Sequence, residues 1–219
     1  MRRARALLRA RPADRGTTLI ELLVSMTIFS LCMTLVFGAV ILVMRKSTDV
    51  QKSADAVSEL RIALAQIDRQ VRSGNVLFSP AGEDPLIGCT GSVAANSGTC
   101  MRIFTQSNGS EKCVQWQITG DPADPGTSLL RTRSWATDWQ VTANLTPWGT
   151  VARGLTVPAG TYPFKLQGAL SVYKERLLDV KLVAVDERRN TNVVIESSMS
   201  GRNTTYGYNA AQCTPVPPA

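Results

Sequence analysis

Arg15-Gly16-Thr17-Thr18-Leu19-Ile20-Glu21-Leu22-Leu23-Val24 begins a run that continues S-M-T-I-F-S-L-C-M-T-L-V-F-G-A-V-I-L-V-M to Met44. From Leu22 to Met44 there are 23 residues without one charge. At about 1.5 Å of rise per residue, a helix of that length crosses a hydrocarbon layer of about 30 Å. Glu21 is the anomaly, because a carboxylate is costly to bury alone at a membrane and points to a partner or a processing step. Arg2, Arg3, Arg5, Arg9, Arg11 and Arg15 precede the run and set the N-terminus on the cytoplasmic side, with everything after Arg45 outside. A secretory signal peptide has an apolar core of about 7–15 residues and a small-residue cleavage site. This run is longer, and Arg45-Lys46 follow it directly.

The chain has 219 residues and a formal net charge of +7, a basicity that invites a nucleic-acid reading. Residues 1–16 hold six of the arginines and one acid, leaving 18 basic against 16 acidic side chains. Most of the excess is therefore a topology signal. Histidine is absent, which removes the commonest metal ligand and the usual general base together. No Gly-rich phosphate loop, H-E-x-x-H or G-x-S-x-G occurs. The carboxylate pairs Asp121/Asp124 and Asp179/Asp186 read as a turn and as the solvent side of a strand. No enzyme activity, metal or cofactor is expected.

Four cysteines, Cys89, Cys100, Cys113 and Cys213, lie beyond the apolar run. On an oxidising side they are disulfide candidates with three connectivities open. Cys89 with Cys100 and Cys113 with Cys213 is the preferred pairing. Cys32 sits inside the run and reads as a small hydrophobe.

Past the membrane the helical pattern continues. Val50, Ala54, Val57, Leu60, Leu64, Ile67 and Val71 recur at spacings of three and four, the period of an amphipathic helix. Ser73-Gly74-Asn75 marks its end. The region 78–98 is rich in Pro, Gly and Ser and reads as a loop. Strand-like runs follow at 100–105, 113–118 and 129–134, with a short strand or turn at 151–155, another at 162–166 and clear alternation over 178–186. Residues 193–197 supply a last strand after a turn at 187–190. The expected fold class is α+β, a long N-terminal helix packed against an antiparallel sheet that covers its amphipathic half. The expected divisions are 1–16, a basic leader; 17–44, a transmembrane helix; 45–74, an extracytoplasmic amphipathic helix; 75–213, the β domain; and 214–219, a mobile tail.

Trp116, Trp135, Trp139 and Trp148 are dense for so short a region. Core and sheet-face packing is the ordinary explanation. With Arg131, Arg133 and Arg153 interleaved, Trp135, Trp139 and Trp148 are also candidates for a DNA or subunit contact.

The string Gly16-Thr17-Thr18-Leu19-Ile20-Glu21-Leu22-Leu23-Val24 resembles the prepilin cleavage and methylation motif of type IV pilins and type II secretion pseudopilins, commonly G-F-T-L-I-E-L-L-V. Thr17 stands where that family usually has Phe. The resemblance implies that a membrane prepilin peptidase and methyltransferase cuts between Gly16 and Thr17 and methylates the new amine. It also implies that Glu21, then the fifth residue, registers each subunit against the amine of a neighbour. The segments around Leu129–Arg133 and Val151–Thr156 are similar to those of J-type minor pseudopilins and W-type minor pilins. A pilin-like fold is implied, with a single pass in the inner membrane and then a place near the tip of an extracytoplasmic fibre. The implied partners are membrane lipid, the inner-membrane assembly platform and other pilin subunits. DNA is an alternative partner if the fibre serves competence.

Overall fold

The computed structural model describes residues 18–106, 109–168, 177–186, 191–201 and 210–218. One helix, α1 (Leu19–Arg72), begins the described chain and runs for 54 residues without a break. The chain divides after Asp49 into two units.

In the first unit, Leu19–Thr48 forms a membrane-length span with mean hydropathy 2.5 and no buried residue. Leu22, Leu23, Ile28, Phe29, Leu35 and Phe37 all lie on its surface, an apolar coat on every side that suits lipid or a helix bundle. Its hydroxyls turn back onto the helix. Ser25 donates to Glu21 O at 2.6 Å, Thr27 to Val24 O at 2.8 Å, Ser30 to Met26 O at 2.9 Å and Thr34 to Ser30 O at 2.8 Å. These polar groups are thereby satisfied without water.

The second unit combines the rest of α1 with a ten-stranded antiparallel sheet. Its strands are β1 (Gly74–Leu77), β2 (Gly91–Ser92), β3 (Ser97–Gly98), β4 (Cys100–Thr105), β5 (Lys112–Gly120), β6 (Ser128–Trp135), β7 (Gly149–Thr156), β8 (Phe164–Leu166), β9 (Leu177–Asp186) and β10 (Thr191–Ser200). They lie in the order β1-β4-β5-β6-β7-β9-β8-β3-β2, with β10 on β9. The long β9 meets β8 through Leu178–Val180 and β7 through Val183–Ala184, while β10 runs its full length.

Alternation of side chains gives the sheet two faces. One packs on α1. Leu60, Ala63, Ile67 and Val71, spaced 3-4-4, join Met101, Ile103, Val114, Trp116, Ile118, Leu130, Leu178, Val180, Leu182 and Ala184 in the main core. Each fully buried Leu or Ile contributes about 1.5–3 kcal/mol. The contact stripe is shorter than the sequence pattern: Val50 is 56% exposed and Leu64 only partly buried. Trp116 Nε1 donates to Gln70 Oε1 at 2.7 Å and fixes the strand against the helix.

The helix stops where Ser73 N–H and Oγ both bond to Arg69 O, at 3.2 and 2.8 Å. Gly74 then opens β1 instead of a loop, pairing with Thr105. A Cβ there would lie 3.0 Å from both Ile103 Cγ2 and Val71 O, so the sharp exit requires a small residue.

The other sheet face is covered as well. Phe104, Cys113, Trp135 and Cys213 form a second cluster with Val76, Phe78, Trp139 and Val216 against it. Ile87, Cys89 and Cys100 form a third. Their cover is the 78–98 region, which is more ordered than a plain loop. It holds two 3-10 turns, Pro80–Gly82 and Pro85–Ile87, and the β2/β3 hairpin. Asp84 caps the second turn by accepting the Leu86 N–H at 2.8 Å. Gly98 lets the first turn close down, since a Cβ would meet Pro80 O at 2.5 Å.

The remaining cover is residues 210–218. Where the sequence predicts a mobile tail after Cys213, the structure packs residues 215–218 on the sheet. Pro217 is buried, and Val216 packs on the second and third clusters. The physical reason is that this sheet face is apolar and donor-rich and needs a cover. The turn at 187–190 falls outside the described residues.

Candidate functional site

Two regions hold the residues singled out from the sequence. At the first, Gly16 and Thr17 lie outside the described residues. Glu21 lies in the first turn of α1. Thr18 sits just ahead of the helix, and its Oγ1 accepts the Glu21 N–H at 3.4 Å while its carbonyl accepts from Glu21 and Leu22 at 3.0 and 3.2 Å. Thr18-x-x-Glu21 is thus an N-terminal capping pattern, legible in the sequence and overlooked there. A carboxylate in a first helical turn complements the positive end of the helix dipole. Glu21 is exposed, and among the described residues its carboxylate has no hydrogen-bond partner.

The second region is the outer face of β4, β5 and β6. Both disulfides flank it: Cys89–Cys100, Cα–Cα 5.5 Å, and Cys113–Cys213, Cα–Cα 5.7 Å. These are the two preferred pairs.

Arg131, Arg133, Trp135 and Trp148 come together here, with Arg133 and Trp135 buried and Arg131 and Trp148 half-buried. The Trp148 ring lies between two guanidiniums, with Arg131 Cζ and Arg133 Cζ each 4.4 Å from its centre. Arg131 Nε donates to Gln117 Oε1 at 2.8 Å and Arg133 Nε to Gln115 Oε1 at 3.0 Å. Arg133, Trp135, Gln115 and Gln117 are all buried. Burial and the neighbouring Arg131 charge push the Arg133 guanidinium down to about 10, partly opposed by Glu83, so it stays charged at neutral pH. Burial also lowers Arg131.

Beneath them lies a group the sequence analysis missed. Glu83, 5% exposed, accepts from Gln115 Nε2 at 2.8 Å and pairs with Arg102 Nε at 3.2 Å. Burial raises its carboxyl above the ordinary range, while Arg102, Gln115 and Arg133 pull it back. Arg102 stacks on Phe78 at 4.3 Å and donates through Nη1 to Cys213 O at 2.8 Å. The signal was polar residues alternating with apolar ones on three adjacent strands, a pattern identical to that of a wet face.

Of the other two candidates, Trp139 packs against the Trp135 cluster and Arg153 stands apart. Trp139, in the short turn Trp139–Thr142, donates its Nε1 to Pro215 O at 3.0 Å. Arg153 is exposed and bonds to Asp121. That hydrogen bond and one from the Ala123 N–H hold the Asp121 carboxyl below its usual range. Asp121 belongs to the turn expected of it. Asp179 accepts from Gln167 at 2.9 Å and from Ser198 at 2.6 Å.

Among known proteins, residues 11–37 match the family model described as the prokaryotic N-terminal methylation motif. No curated protein and no solved structure matches the chain. The motif, the capped apolar helix that carries Glu21 and the antiparallel sheet downstream support a likeness to the type IV pilin and pseudopilin family.

Proposed function

We propose that the chain is a minor pilin or pseudopilin, a structural subunit near the tip of a type IV pilus or type II secretion pseudopilus. The observation that carries this reading is Glu21 in the first turn of an uninterrupted apolar helix, within the matched motif. In this reading residues 1–16 are a cytoplasmic leader, and the peptidase frees Thr17 and methylates its amine. The helix over 17–44 holds the subunit in the inner membrane until the assembly platform extracts it, and 45–74 carries the β domain of 75–213. In the fibre the Glu21 carboxylate meets the Thr17 ammonium of a neighbouring subunit. The pairing works as a register device because an unpaired charge in an apolar bundle is costly. The mechanism is packing of helices.

The other reading, a DNA-binding minor pilin of a competence pilus, leans on Arg131, Arg133 and Arg153. The structure weighs against it, since Arg131 and Arg133 are bonded to Gln117 and Gln115 and stacked on Trp148. The test is fractionation of cells that carry Glu21→Val. The subunit reading expects cleaved protein in membranes and its loss from sheared fibres, with a penalty on the order of 3–5 kcal/mol for the unpaired amine. Mutant incorporated at the wild-type level removes the register role.

A further inference from the structure

Residues 215–218 are held as a ligand is held. Three side-chain donors read their carbonyls: Trp139 Nε1 to Pro215 O at 3.0 Å, Arg133 Nη2 to Pro217 O at 2.7 Å, and Arg133 Nη1 to Pro218 O. Between these contacts Val216 packs against the cluster of Phe104, Cys113, Trp135 and Cys213 and against that of Ile87, Cys89 and Cys100. Residues 214–218 belong to no strand or helix. Three of the five are proline and offer carbonyls with no N–H to satisfy. Recognition by an indole and a guanidinium on an aromatic surface suits a stiff proline-rich segment, which loses little entropy on docking.

We propose that the outer face of β6 together with the turn Trp139–Thr142 is a binding groove for short proline-rich segments. Its resident ligand is the chain's own 214–218, and Cys113–Cys213 keeps that ligand local. The disulfide lies immediately before the segment, and Arg102 holds the Cys213 carbonyl. A short tether gives its ligand an effective concentration in the millimolar range. A contact too weak to survive between separate molecules is therefore filled within one.

The test uses the full chain in detergent micelles and a fluorescein-labelled peptide of sequence Thr-Pro-Val-Pro-Pro-Ala, followed by anisotropy. Three proteins are compared: the intact oxidised chain, the full-length Cys113→Ser/Cys213→Ser variant, and Cys113→Ser ending at Gln212. Saturable binding is expected to the shortened variant. The full-length double variant should bind with an apparent affinity at least about tenfold weaker, because its own tail competes. The intact chain should not bind. Trp139→Phe in the shortened variant should weaken binding about two- to tenfold, the worth of one hydrogen bond. If the shortened variant does not fold, the double variant decides, titrated to about ten times the millimolar local concentration. No saturable binding to a folded shortened variant, or none to the double variant at that concentration, overturns the proposal, as does binding of equal strength to the intact chain.

Discussion

Arg133 on β6 donates to the carbonyl oxygen of Pro217 at 2.7 Å across 84 residues of sequence. That bond helps to close the sheet's second face and holds Arg133 in the interior. Arg133→Ala should cost about 1.5–3 kcal/mol, the usual worth of hydrogen bonds to a charged group. Arg133→Lys keeps the charge but not the planar fork and should recover only part of it. Chemical denaturation of the purified protein in detergent checks both, and a change under about 0.5 kcal/mol would contradict the inward role.

The two disulfides should differ in worth. Cys89–Cys100 spans 11 residues and Cys113–Cys213 spans 100. Both fall within about 2–5 kcal/mol, the longer loop at the upper end by the chain-entropy argument. Thermal unfolding of Cys89→Ser/Cys100→Ser and of Cys113→Ser/Cys213→Ser makes the comparison. Equal losses would point to native-state contacts, not loop closure, as the main contribution.

Ile62 and Ile67 lie on one helix with opposite fates, the first 55% exposed and the second fully buried. Ile67→Ala should cost about 2–5 kcal/mol and Ile62→Ala less than about 0.5 kcal/mol. Unfolding of the isolated subunit measures this, and similar losses at the two positions would refute the packing of α1 on the sheet.

The pH dependence has two opposed parts. Glu83 titrates above its ordinary value of 4.5, so the folded state binds more protons than the unfolded one between that value and the raised one. Its contribution to stability is greatest below 4.5 and falls as pH rises through the folded pKa. Asp121 is shifted down from 3.8, so its contribution is present above 3.8 and is lost as pH falls through the folded value. Carbon-13 NMR of the side-chain carboxyls should find the two on opposite sides of their ordinary positions. Arg153→Gln should move Asp121 upward and leave Glu83 in place.

The helix and most strands were legible because their patterns are local. The charge-free run, the spacing of Leu60, Ile67 and Val71, and the alternation through Leu178, Val180, Leu182 and Ala184 each need only neighbours in sequence. What covers the second face was not legible. Gln115, Gln117, Arg131 and Arg133 alternate with apolar residues as a solvent face does. They are satisfied by the 78–98 region, by one another and by residues 217–218, and contacts so distant in sequence leave no periodic trace. Thr18 was different, since its capping pattern with Glu21 stood in the sequence beside a more conspicuous motif.

The most direct test of the account is the intact mass of the protein extracted from membranes of cells that contain a prepilin peptidase. The account predicts a chain that begins at Thr17, with or without one methyl group on its amine. A chain that still begins at Met1 in the presence of active peptidase would contradict it.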